Sequence, residues 1–180
     1  MQKAMKYTYK IDLEDLLTFQ LYTASKSEVV EKKRRNGRFI LMLASIAFSG
    51  YFFTQNEVAL GTYFAIMVVL TFFFYGKYFL WKHKLNYRRF IKANYSSRFG
   101  MEETLETFPD RIHVKDNLGE GDVKRSEFES VAETGDYFFL QLAVGTSLVV
   151  PKAQINPADF KKDLLRLKIP FVEDLNWSWS

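Results

Sequence analysis

The chain of 180 residues has no cysteine and only two histidines, His83 and His113. Without thiols there is no disulfide framework, no thiol nucleophile and no Cys-based metal site. The two histidines lie in different segments and suggest no paired-imidazole centre. The most informative absence is charge. No Asp, Glu, Lys, Arg or His occurs from Phe39 to Asn56 or from Val58 to Gly76. At 1.5 Å per residue, each run forms a helix of about 27 to 29 Å, the thickness of a bilayer core. The polar turn Thr54-Gln55-Asn56-Glu57 permits only an antiparallel hairpin between them. The lack of ionisable groups in both runs argues against an ion or proton pathway, and so against a pump or transporter. The first run starts too far from the N-terminus for a cleaved signal peptide and is expected to remain in the mature protein.

The charge that is present is segregated. Residues 26–38 carry six Lys/Arg against two Glu, and residues 77–92 carry six Lys/Arg and no acid, while the turn holds only Glu57. Basic flanks stay on the cytoplasmic side, so both termini are expected in the cytoplasm and the turn outside. Clusters placed at the two ends of an apolar hairpin suit anionic lipid headgroups, at about 1 kcal/mol per basic side chain near the surface, and not nucleic acid. Tyr75, Tyr78 and Trp81 beside Lys77 and Lys82 form an interfacial belt. From residue 93 onward the sign reverses, with ten Lys/Arg and fifteen Asp/Glu for a net of −5. Such a domain is repelled by an anionic leaflet and depends on the hairpin to stay near it.

Within the spans, Ser45 and Ser49, and Gly61 and Ala65, have the small-xxx-small spacing that lets helices approach closely. A packed hairpin is the expectation, with dimerisation as the alternative. Before the spans, Tyr7, Tyr9 and Ile11 alternate as in a short strand, and Asp12 and Asp15 suit the start of a helix rich in Leu. After them, Tyr87, Ile91 and Tyr95 continue a helical stripe that Gly100 can stop. Beyond Gly100 the period becomes two, predicting six strands: 104–108, 111–115, 121–125, 130–134, 137–144 and 147–150. Asn117-Leu118-Gly119, Gly135-Asp136 and Gly145 supply turns. Ser126 and Glu129 have capping-box spacing for a short helical turn. Asn156-Pro157 starts a C-terminal helix.

The domain reading follows: 1–38, a cytoplasmic strand and amphipathic helix; 39–81, a transmembrane hairpin with spans at about 39–56 and 58–80; 82–100, a cytoplasmic helical extension; and 101–180, a small sheet domain. The fold class is α+β, an integral membrane protein with a two-helix hairpin and a small antiparallel β-barrel or sheet carrying a C-terminal helix. A lone N-terminal strand is not stable. If it adds to the C-terminal sheet, seven strands and one helix give the layout of a pleckstrin-homology-like barrel.

Three fragments carry a family resemblance: Phe108-Pro109-Asp110-Arg111-Ile112, Glu127 to Thr134, and Asp136 to Leu140 continuing to Leu148-Val149-Val150-Pro151-Lys152. With Asp12 to Tyr22 and the paired spans, they resemble the YcxB-like family of bacterial membrane proteins. The resemblance implies a pleckstrin-homology-like C-terminal domain at the inner membrane, and no reaction, cofactor or catalytic residues.

The function expected is a membrane-tethered cytoplasmic binding module, with a peptide or protein held by loops or an exposed sheet edge. Its partners are the lipid bilayer, in which it is integral, and a protein partner or a second copy. No nucleic acid is expected. The alternatives are an assembly subunit packed beside other membrane proteins and a lipid-headgroup domain, for which Lys124, Arg125 and Lys152 are the basic candidates. The Trp177-Ser178-Trp179-Ser180 terminus is expected to fold back onto the barrel, or else to touch the membrane interface or a partner. Asp110 with Asp116, and Glu127 with Glu129, are the carboxylate pairs an enzyme could use, but acidic residues bordering strands are usually solvated. No residue is assigned a catalytic, cofactor-binding or metal role, and His113 is read as an ordinary surface histidine.

Overall fold

The computed structural model describes residues 5–117, 119–145 and 147–179. Leu118, expected in a turn, and Ser180, at the end of the Trp-rich terminus, lie outside them. The chain divides into two compact units, residues 1–19 with 88–178 and residues 20–87 with 179–180. Helix α1 (Leu13–Ser25) and helix α3 (Val58–Tyr95) each contribute to both.

The smaller unit is the apolar hairpin. Helix α2 (Glu28–Thr54) and α3 are joined at Gln55–Glu57, where Asn56 takes the left-handed conformation (φ 59°) that Asn tolerates better than most residues. The expected small residues lie between the helices. Ser45, Ser49 and Gly61 are buried, and the Ser49 hydroxyl donates to the Gly61 carbonyl at 2.8 Å. A Cβ on Gly61 would lie 2.7 Å from the Phe53 ring, so the approach there requires a glycine. Phe52 stacks on Phe64 at 5.6 Å beside it. This favours the packed hairpin over a dimer face made from the same residues.

The remaining faces are apolar and bare. Only 6% of the apolar window of α2 and 11% of that of α3 is buried, whereas the core helix of a water-soluble protein is mostly buried. Ile40, Leu43, Ile46, Val69, Phe73 and Phe74 are among the exposed side chains. Both helices are long and apolar enough to cross a membrane. At one end of the unit the Trp179 indole N–H donates to the Leu80 carbonyl of α3 at 3.3 Å. The terminal tryptophan thus meets a helix, not the sheets expected from the sequence.

Among the described residues the larger unit holds eight strands in two sheets. The first has the order β1-β2-β3-β4, all antiparallel: β1 (Met5–Lys10), β2 (Glu102–Thr107), β3 (Arg111–Lys115) and β4 (Glu120–Lys124). The N-terminal strand does join it, pairing along its whole length from Met5 opposite Thr107 to Lys10 opposite Glu102. The alternation read from the sequence gives the reason. Tyr7, Tyr9, Leu105, Thr107 and Ile112 are all buried. The second sheet has the order β7-β6-β5-β8, built from β5 (Phe128–Glu133), β6 (Tyr137–Leu142), β7 (Ser147–Pro151) and β8 (Phe171–Glu173). Strand β8 runs parallel to β5 and was not expected.

The strands do not close into a barrel. Between β4 and β5 the chain passes through a 3-10 turn, Arg125–Glu127, and changes sheet. The outer side of β1 at Lys10 is met by a side chain: the Gln154 amide accepts from the Lys10 N–H (2.8 Å) and donates to its C=O (2.9 Å).

Helices cover both faces of β6, which explains why Phe138, Phe139 and Leu140 are buried in succession. Phe139 packs against Phe19 of α1, and Phe138 against Phe160 of α4 (Pro157–Arg166). The Asn156 side chain caps α4 as its sequence predicts, accepting from Ala158 and Asp159. Helix α4 also binds the first sheet. Phe160 meets Tyr7 edge-on at 4.7 Å, and the buried Asp163 carboxylate accepts from the hydroxyls of Tyr7 (2.8 Å) and Thr107 (3.0 Å). On the other side, Asp15 accepts from the Tyr137 hydroxyl at 2.9 Å, and burial pushes its carboxyl above the usual range.

Candidate binding groove

Two charged arrangements stand out in the larger unit, one closed and one open. The closed one joins two of the fragments that carry the family resemblance, at Glu133 and Lys152. Glu133 ends β5 and Lys152 follows β7, and the Lys152 ammonium donates to the Glu133 carboxylate (2.8 Å) and the Thr134 carbonyl (2.6 Å). It also sits over the Phe138 ring at 4.8 Å. The Lys161 ammonium lies 2.6 Å from Glu133 and 2.6 Å from Glu173. Burial alone would push Glu133 up, but the two ammonium groups outweigh it and hold its carboxyl below the usual range. Lys152, a candidate for lipid headgroups in the sequence, is therefore committed to an internal ion pair.

The open arrangement is a groove of about 710 Å³ where the β3–β4 hairpin approaches the segment after α4. Its placement is local chemistry. The Arg125 N–H donates to the Asp110 carbonyl (2.9 Å), closing the base of the hairpin, and the Glu127 carboxylate accepts from the Lys124 N–H (3.2 Å). The cap is thus Glu127 on Lys124, two residues earlier than the Ser126 and Glu129 spacing predicted. The Arg125 guanidinium donates to the Lys168 carbonyl (3.1 Å), and the Val131 N–H donates to that of Pro170 (2.8 Å). Phe128 and Ile169 form a buried apolar floor.

Charges in the groove differ in how they are used. Arg111 is neutralised by Asp122 (3.4 Å) and Asp110 (3.5 Å) and lies over the Phe108 ring. Asp122 also hydrogen-bonds the His113 imidazole at 2.8 Å, so His113 is half-buried and partnered and not a free surface residue. Lys124, Arg125 and Lys168 are exposed, and among the described residues no carboxylate pairs with them. Lys168 stands at φ 53°, just past the end of α4. The sequence singles out Lys124 and Arg125. Lys168 was missed because only the long-range bond to Arg125 brings it there.

The carboxylates Asp110 and Asp116 are not brought together. Asp110 and Asp116 lie at opposite ends of β3, about 20 Å apart along a strand. Glu127 caps the turn, and Glu129 is exposed on β5. No curated protein and no solved structure matches this chain. A family model described as YcxB-like protein matches residues 108–162, which span β3 to β7 and the first part of α4. That stretch contains Lys124, Arg125, Glu133 and Lys152, and over it the chain is similar to that family, in the same three fragments that carry the sequence resemblance.

Proposed function

We propose that this protein is a membrane-anchored interaction module. Helices α2 and α3 form a two-span anchor in the bacterial inner membrane, with both termini and the sheet domain in the cytoplasm. The observation that carries the reading is the bare apolar surface of α2 and α3. In water an exposed patch of that extent drives association, whereas in hydrocarbon it costs nothing. The basic residues at 26–38 and 77–92 set the orientation. The domain works by binding and not by catalysis: Asp110 pairs with Arg111, Glu127 caps a turn and Glu129 is solvated on β5. Its two sheets with α4 packed on both resemble the pleckstrin-homology arrangement, opened at the edges.

The test is alkaline carbonate extraction of membranes from cells making the full chain. The protein is expected to stay in the pellet and to leave it only with detergent. Release into the carbonate supernatant would overturn the anchor.

A further inference from the structure

We infer that the groove beside β4 binds an extended acidic peptide segment of a partner protein. The inference rests on the interaction-module reading and names the ligand class. Three features converge on such an occupant. Lys124, Arg125 and Lys168 surround the groove with no carboxylate partner among the described residues. Phe128 and Ile169 supply an apolar floor between them. Strand β4 is the last strand of its sheet, so among the described residues its outer backbone groups pair with no other strand. An added strand satisfies such an edge, and its side chains alternate between two faces, presenting carboxylates and apolar groups in turn.

Peptide is favoured over lipid headgroup by charge. Asp110 and Asp122 share the groove wall with the cations, and the chain from residue 93 onward is net −5. Asp110 and Asp122 oppose any anion, but an anionic bilayer also repels the whole acidic domain, whereas a short peptide meets mainly the charges of the groove. Carboxylates spaced along a strand reach the three cations singly.

The experiment uses the full chain in detergent micelles and a fluorescein-labelled octapeptide alternating Glu and Val. The Gln/Val octapeptide is the control. Saturable binding of the Glu peptide is expected, weakening as salt rises. Lys124→Glu with Arg125→Glu is expected to raise its Kd tenfold or more. Lys168→Gly removes one cation at a position whose φ suits glycine. It is expected to weaken binding severalfold with no fall in Tm, which separates lost binding from lost fold. Equal binding of the Gln peptide, or an unchanged Kd in the double variant, would overturn the inference. So would a variant that loses phosphatidylglycerol vesicles but keeps the peptide, because the cations would then serve headgroups. Carbonate extraction of the unaltered protein reports on the anchor independently, so the two failures are distinguishable.

Discussion

Glu133 shows how one residue serves the fold instead of a ligand. Its carboxylate is held between Lys152 and Lys161, so removing the charge leaves a mostly buried ammonium facing a neutral amide. Glu133→Gln is expected to cost about 2–3 kcal/mol at pH 7, read by urea unfolding in detergent. The pH dependence has a fixed sign. A carboxyl whose folded pKa is depressed stabilises the fold above its ordinary value of 4.5, and that contribution disappears as pH falls through the folded value. The gap between the two proteins should therefore be full at pH 7 and close below about pH 4.5. A gap independent of pH would mean that packing, not charge, is lost. Lys168 is the opposite case. A β-carbon in the left-handed region costs on the order of 1 kcal/mol, partly offset by the entropy of an unfolded glycine. Lys168→Gly is expected to stabilise the fold by about 0.5–1 kcal/mol in the same assay.

Among the elements, β1 carries the sharpest consequence. It pairs with β2 over six residues, Tyr7 and Tyr9 are buried, and the Tyr7 hydroxyl reaches Asp163 on α4. A fragment of residues 101–180 would expose the β2 edge and leave Asp163 without one of its donors. It is expected not to fold, with collapsed dispersion in a proton–nitrogen NMR spectrum. A folded fragment as stable as the full chain would show β1 to be dispensable. The contribution of β1 was legible because Tyr7, Tyr9 and Ile11 alternate so plainly, and α4 because Asn156-Pro157 is an unambiguous start. Strand β8 was not legible. Three residues after Pro170 are too few for a period, and their partner β5 is reached only across α4. The irregularity in β5, where the register shifts between Phe128 and Ser130, likewise hid its first residues inside an expected helical turn. The groove escaped sequence reading for the same physical reason: Arg125 and Lys168 lie 43 positions apart and meet only in the fold.

For the whole molecule, the central claim is a hairpin in the membrane with the sheet domain in the cytoplasm. The absence of cysteine gives a clean background for locating single positions. Gln55→Cys places one thiol in the turn between α2 and α3, and Glu127→Cys places one on the exposed 3-10 turn beside the groove. The most direct measurement is labelling of each variant with a membrane-impermeant maleimide, before and after the inner membrane is permeabilised. Gln55→Cys is expected to label from outside the inner membrane, and Glu127→Cys only after permeabilisation. The reverse pattern, or both thiols protected until permeabilisation, would contradict the two-span orientation.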